Sequence, residues 1–317
     1  MTTTAQKRNA YVAWAVVCLV WGTTYLAIKV ALETVPPFVM GAVRYLGAGI
    51  ILTAVLALQG KRLPPLRAWT PYVVAGTLLL GVGNGFVILA EQWTPSGFAA
   101  VLVATTPFWM VGVEGLSAQG ERLSRQKLIG LLIGFSGIIL LVWPELRLDN
   151  GANVLFLAGV GCVQIACVGW AFGSVYARRH RDGVDPFVIS ACQMLAGGAV
   201  MAIVAGVLGE WQHITYTPRT GFAQVYLLVM GSLVAFVAYI YALNHLTTSF
   251  VSLYAYVNPV VAVILGTLIL SEPFGWRIVL AIGVILAGMM VVSRKPASTD
   301  SAVRKAASGA QPLRGRA

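Results

Sequence analysis

The chain is poor in charge, and poorest in negative charge. Asp and Glu number 11 in 317 residues, against 22 Lys and Arg, and charged residues of all kinds make up 10%. An average soluble domain carries about a quarter. Histidine occurs three times, as His180, His213 and His245, at the ends of apolar stretches. None has the paired spacing of a metal site, so no metal and no cofactor are expected. The four cysteines, Cys18, Cys162, Cys167 and Cys192, all lie inside apolar stretches and read as small packers, not as a disulfide framework. A Walker-type Gly-rich loop with its Lys is missing, which excludes ATP hydrolysis by this chain. No Ser–His or paired-Asp arrangement falls mid-stretch, which argues against an intramembrane protease. No ladder of basic residues marks a voltage sensor.

What is present is apolar. Hydrophobic residues make up 58% of the chain and mean hydropathy is +0.81. No soluble domain of this length hides that much apolar surface, so the solvent is lipid. The net charge of +11 sits in short loops and the C-terminal stretch, not on one folded face, so nucleic acid is not the partner. Ten stretches are each long enough to cross a bilayer, at residues 11–32, 36–58, 71–92, 95–117, 124–143, 153–178, 186–208, 221–244, 248–270 and 274–293. The fold class is therefore an all-α integral membrane protein of ten transmembrane helices. Pro36-Pro37, Pro64-Pro65, Pro144, Asp185-Pro186 and Ser271-Glu272-Pro273 separate the stretches. Thr94 is expected to cap the fourth helix with Pro95 at its first position. Residues 1–10 form a short polar N-terminus, and the first span is expected to be retained. Residues 294–317, rich in Ala, Ser, Gly and Arg, are expected to be disordered.

The second half echoes the first. A shift of 149 positions places Trp21 on Trp170, Cys18 on Cys167, Pro37-Phe38-Val39 on Pro186-Phe187-Val188 and Gly49 on Gly198. From Cys18 to Gly49, 9 of 32 positions are identical without a gap. Further on, Pro107 meets Pro259 and Glu121 meets Glu272. The two copies span residues 11–143 and 153–293. An odd number of spans per copy turns one upside down relative to the other. That is the pattern of an inverted-repeat transporter, with its site at the midplane between the halves.

Lysine and arginine agree. With the N-terminus inside, 17 basic residues fall on the inner side. The outer loops keep Arg147, Arg219 and Arg277, while Lys29 and Arg44 lie within spans. Both termini are then cytoplasmic.

Polar groups inside a bilayer are costly and point to candidates for function. Arg44 lies about 12 Å from the outer end of its span at ~1.5 Å per residue. Lys29, Glu33 and Glu91 also fall toward the outer side, so Lys29, Arg44 and Glu91 are expected to form an outer charge cluster, either a gate or a structural ion pair. Asn84, Gln164 and Asn258 are mid-span neutrals that bind solute or bridge helices. Trp21, Thr24, Tyr25, Trp109, Trp170, Tyr239 and Tyr254 complete the candidate cavity, with the symmetric Trp21 and Trp170 foremost. Pro107 and Pro259 fall mid-span and invite kinks. With Gly83 and Gly85 they are candidate hinges, or else fixed bends and packing positions. Glycines four apart, such as Gly130 with Gly134 and Gly169 with Gly173, let helices approach closely.

Several stretches resemble the EamA-type family of the drug/metabolite transporter superfamily. They are Trp21-Gly22-Thr23-Thr24-Tyr25, Val43-Arg44-Tyr45, Glu121-Arg122-Leu123, Trp170-Ala171-Phe172-Gly173-Ser174-Val175-Tyr176, Tyr256-Val257-Asn258-Pro259-Val260 and Ser271-Glu272-Pro273. The resemblance covers residues 11 to 293. It implies ten helices as two inverted five-helix repeats around a central cavity, in a bacterial inner membrane. It also implies export of amino acids, related metabolites or toxic compounds. The family's acidic position before the last helix of each half matches Glu121 and Glu272, read here as carboxylates favouring their own helix N-termini. With no mid-span carboxylate, proton antiport has no evident carrier, and proton coupling and facilitated movement both stay open. The partners are a small-molecule solute and membrane lipids, and the chain is expected to act as a monomer. Aromatic or neutral amino acids suit the cavity residues best. A flippase for a lipid-linked sugar and a non-transporting membrane scaffold are the alternatives.

Overall fold

A computed structural model describes residues 4–115, 125–143, 151–180 and 183–293. Among these residues every regular element is helical. We number ten helical segments in chain order. They are α1 (Thr4–Ala31), α2 (Pro37–Leu58), α3 (Thr70–Ala90), α4 (Ser96–Glu114), α5 (Arg125–Val142), α6 (Gly151–Arg179), α7 (Pro186–Val207), α8 (Pro218–His245), α9 (Tyr254–Leu270) and α10 (Trp276–Ser293). α1 to α4 and α6 to α8 carry stretches long and apolar enough to cross a bilayer. The apolar stretches of α5, α9 and α10 are shorter. Large aliphatic side chains such as Leu19, Ile50, Leu132, Ile165, Ile203, Ile264 and Leu268 point outward and exposed. Such a surface is stable against hydrocarbon, where helices satisfy their own backbone groups.

Proline starts several helices where its missing N–H costs nothing. Pro37 opens α2, Pro186 opens α7 and Pro218 opens α8. The free amides behind them are met in three ways. Asp185 accepts from Phe187 N at 2.9 Å at the start of α7, and Lys61 Nζ donates to its other oxygen. Thr217 and Thr220 form a capping box on α8. On α2 the equivalent of Asp185 is Pro36, which has no side-chain acceptor. Glu210, from the loop after α7, supplies one instead and accepts from Phe38 N and Val39 N at 2.8 and 3.0 Å.

Two sequence expectations about caps are corrected. Thr94 does not cap α4, because its hydroxyl donates back to Ala90 O at 2.9 Å. Glu272 does not serve its own helix α10. It accepts from Ser96 N at 2.7 Å and Gly97 N at 3.0 Å, at the start of α4 in the other half. Glu121 lies outside the described residues, as do 294–317.

The packing has an internal symmetry. α2 lies against α7, α5 against α10 and α4 against α9. α1 packs on α8 and α9, while α6 packs on α3 and α4. α2 also meets α8, and α3 meets α7. Exchanging each helix with the one five places along maps this pattern onto itself. Close approach is built with glycine: a Cβ on Gly288 of α10 would come within 2.5 Å of Gly134 N on α5.

α3 and α8 each contain a feature absent from the sequence expectation. Residues Thr77–Asn84 and Leu227–Val234 are wound as π-helix. Both segments are eight residues long, at corresponding places in the two halves. π-Helical windings are uncommon and tend to mark functional sites.

Candidate functional site

The central cavity lies between six helices. α1 contributes Trp21, Thr24, Tyr25 and Ile28; α2 contributes Arg44; α3 contributes Gly83, Asn84 and Val87. α4 adds Val103 and Thr106, α6 adds Ala166, Cys167 and Trp170, and Tyr254 and Asn258 come from α9. Seven of the ten residues expected to line a cavity meet here: Trp21, Thr24, Tyr25, Asn84, Trp170, Tyr254 and Asn258. Trp109, Gln164 and Tyr239 do not line it. Trp109 Nε1 donates to Gln164 Oε1 at 3.1 Å, so these two side chains bridge α4 and α6. Tyr239 is fully buried behind the cavity. Its hydroxyl accepts from Trp170 Nε1 at 3.1 Å and meets Ser174 Oγ at 2.7 Å.

The aromatic wall is a locked cluster. Trp21 and Trp170 meet edge to face with ring centroids 5.3 Å apart. Trp21 also contacts Tyr239 and Tyr254, each at 5.1 Å. Trp21 Nε1 donates to Gly231 O at 3.1 Å. Edge-to-face pairs of this kind add about 0.5–1.5 kcal/mol beyond area burial. Gly83 makes room for the ring of Trp170: a Cβ there would lie 2.8 Å from Trp170 Cε3. That contact gives Gly83 a packing reason, and Gly85 packs near Met201 and Phe38. With its amide turned to satisfy its neighbours, Asn258 donates to Cys18 O at 3.0 Å and Tyr254 O at 3.2 Å.

In the expected outer charge cluster, Glu91 lies within electrostatic reach of both Lys29 and Arg44, but neither cation pairs directly with its carboxylate among the described residues. Lys29 Nζ donates to the backbone carbonyls of Glu91 and Thr94, at 2.5 and 3.0 Å, not to the Glu91 carboxylate. Lys29 thereby meets carbonyls left free at the end of α3. Glu91 is fully buried and neither carboxylate oxygen has a hydrogen-bond partner among the described residues. Arg44 is 2% exposed and lines the cavity wall. Its Nε donates to Ser232 Oγ at 2.8 Å. Counting residues from a span end gave depth but not the face that Arg44 presents. Glu33 instead pairs with Arg219 at 3.1 Å on the exposed surface.

The π-helical segments shape this site. In α8, Ser232 Oγ donates to Leu227 O five residues back, at 3.2 Å, while it accepts from Arg44. Gly231 leaves the space that Arg44 occupies, since a Cβ there would lie 2.7 Å from Arg44 Nη2. In α3, the other segment carries Gly83 and Asn84 to the cavity.

The proline positions differ from a simple kink. α4 is interrupted by a turn at Ala104 and Thr105, just before Pro107. Pro107 cannot donate to Val103 O, and the Thr106 hydroxyl does so at 2.7 Å. Pro259 sits inside α9, whose preceding turn falls at Ser252 and Leu253. Sequence reasoning passed over Thr106 and Cys167. Thr106 Oγ1 lies 3.4 Å from Cys167 Sγ, within reach of the thiol proton, and the coincidence of Cys18 with Cys167 in the echo is the available signal.

The free space enclosed is about 50 Å³. That admits a few waters and is far below the ~300–1,000 Å³ of a ligand pocket. Among the described residues no group of His, Cys, Asp and Glu is arranged to hold a metal.

A bundle of apolar helices with an outward apolar surface and a polar, aromatic pocket at its centre is the architecture of a membrane transport protein. The family can be stated further. The EamA-like transporter family matches residues 9–143 and again residues 157–294, and the chain belongs to it. The inner membrane transporter YedA of Escherichia coli (strain K12) is 40% identical over 279 residues, 87% of each chain. The transporter YoaV of Bacillus subtilis (strain 168) is 24% identical over 277 residues, 87% of this chain and 93% of its own. A crystal structure of a protein 23% identical in sequence covers 90% of this chain and 97% of its own, with a TM-score of 0.66, a likeness of fold alone.

Proposed function

We propose that this chain is an alternating-access exporter of small amphipathic solutes, most suitably amino acids with aromatic or neutral side chains, across a bacterial inner membrane. The observation that carries this reading is the convergence of Trp21, Tyr25, Asn84, Trp170, Tyr254 and Asn258 from four helices on one central cavity. Aromatic faces suit an apolar body, and amides and hydroxyls suit a polar head. Ten spans in two inverted copies supply the machine. Support comes from the doubled family match, the symmetric packing and the paired π-helical segments. The lysine and arginine bias supports cytoplasmic termini, and the likeness to YedA supports the inner membrane.

The test is counterflow in proteoliposomes loaded with unlabelled amino acid, with labelled Phe, Thr or Met outside. Accumulation by the native chain and its loss in folded Trp170→Ala is the expected result. Absence of accumulation with every amino acid, in protein shown to be folded, overturns the amino-acid reading. Accumulation unchanged in Trp170→Ala removes the cavity from the path.

A further inference from the structure

We infer that Arg44 is the anchor for a carboxylate on the transported solute, so that the cavity selects anionic head groups attached to an apolar body. This deepens the exporter reading and rests on it.

Arg44 is 2% exposed and lines the cavity. Nε donates to Ser232 Oγ, and Nη1 has no hydrogen-bond partner among the described residues. Taking a charge out of water costs several kcal/mol unless it is paired and hydrogen-bonded. Tyr45 offers partial relief, with its ring centroid 4.8 Å from Arg44 Cζ, a cation–π contact. No carboxylate among the described residues forms an ion pair with Arg44. Glu91 feels its charge, but both Glu91 oxygens are themselves without a hydrogen-bond partner, so neither group satisfies the other. Lys29, the remaining nearby cation, is already taken up by the carbonyls of Glu91 and Thr94. Glu272 is spent on the amides of Ser96 and Gly97.

The fold has made room for this guanidinium deliberately. Gly231 and Ser232 stand in the π-helical segment of α8, one clearing its space and the other fixing Nε. The position is also asymmetric. Its mate in the echo, 149 residues on, is Gln193. A cation in one half only gives the cavity a polar end and an orientation for the solute. A guanidinium held at Nε and unpartnered at Nη1 is suited to a planar carboxylate, which it binds with charge-assisted hydrogen bonds. The indoles of Trp21 and Trp170 then receive the body of the solute.

The test is competition in counterflow. Proteoliposomes are loaded with L-phenylalanine, and labelled L-phenylalanine is added with unlabelled 3-phenylpropionate, L-phenylalaninamide or phenethylamine. 3-Phenylpropionate keeps the carboxylate without the amine, and the other two lack it. The native chain is expected to favour the carboxylates by about ten- to a hundred-fold, the usual size of a hydrogen bond to a charged group. Arg44→Gln should bring that ratio near one, and Arg44→Lys should keep part of it. Ser232→Ala, which leaves the charge in place, should reduce the ratio several-fold and guards against an unfolded Arg44→Gln. Equal competition by acid and amide in the native chain overturns the anchor and leaves the exporter standing. So does a loss of transport in Arg44→Lys and Ser232→Ala that leaves the acid-to-amide ratio unchanged, since that marks a structural role only. Failure of the native, folded chain to accumulate any amino acid overturns the amino-acid reading, and the anchor with it.

Discussion

Ser271 closes α9 with φ 54°, a left-handed backbone conformation that costs a non-glycine residue about 1–2 kcal/mol. The next residue, Glu272, accepts from Ser96 N and Gly97 N with one oxygen each. These two amides have no intrahelical partner at the start of α4, so the carboxylate answers both their hydrogen bonding and the helix dipole. Its place between the two halves explains why an acid belongs here. Glu272→Gln keeps one acceptor and turns an NH2 group toward an N–H. We expect a loss of about 1–2 kcal/mol, the usual size of a lost cap, seen as a lower melting temperature in detergent with solute selectivity unchanged. An unchanged melting temperature contradicts the cap. From sequence the acid itself was legible, but not its client. The helix that follows it is the obvious candidate in one dimension, and the helix 176 residues away is visible only in three.

At the scale of elements, helix starts and π-helical segments carry the account. α2 starts with Pro36-Pro37 and borrows Glu210 as its cap. Burial raises the Glu210 carboxyl above the ordinary carboxylate range, and the amides of Val39 and Phe38 pull it back only in part. The folded chain therefore holds this proton more tightly than the unfolded chain does. Stability falls as pH rises from the ordinary carboxylate pKa through the raised one, and levels off above it. Melting curves of the native chain and Glu210→Gln between ~pH 4 and ~pH 7 test this, and the native chain should show the extra downward slope. Parallel profiles contradict it. The π-helical segments were half legible. Gly81-Val82-Gly83-Asn84-Gly85 sets three glycines around an asparagine, whereas Leu227–Val234 reads as an ordinary apolar run. Winding depends on what crosses the helix, here Arg44 at Gly231 and Trp170 at Gly83, and those neighbours are far away in sequence.

For the whole molecule, hydropathy and proline punctuation made the all-helical membrane class legible, because each span must satisfy its own backbone in lipid. The echo made Trp21 and Trp170 legible as partners, and they meet at 5.3 Å. Which face each helix turns inward was not legible, because spans that are apolar all round carry little periodic signal. That is why Trp109, Gln164 and Tyr239 suit a cavity as well as a helix contact in sequence, while the structure places them off the lining. The same limit hid Cys167, which lines the cavity 1% exposed.

Cys167 offers the most direct measurement of whether the central cavity is the transport path. Cys18, Cys162 and Cys192 are replaced by Ala, and the remaining thiol is titrated in proteoliposomes with a small membrane-impermeant methanethiosulfonate. A second protein keeps only Cys192, buried in α7 away from the cavity. If the cavity opens to water during transport, Cys167 reacts faster than Cys192, and saturating transported amino acid slows its reaction. Labelling of Cys167 no faster than Cys192, or labelling indifferent to solute, would contradict a path through this cavity.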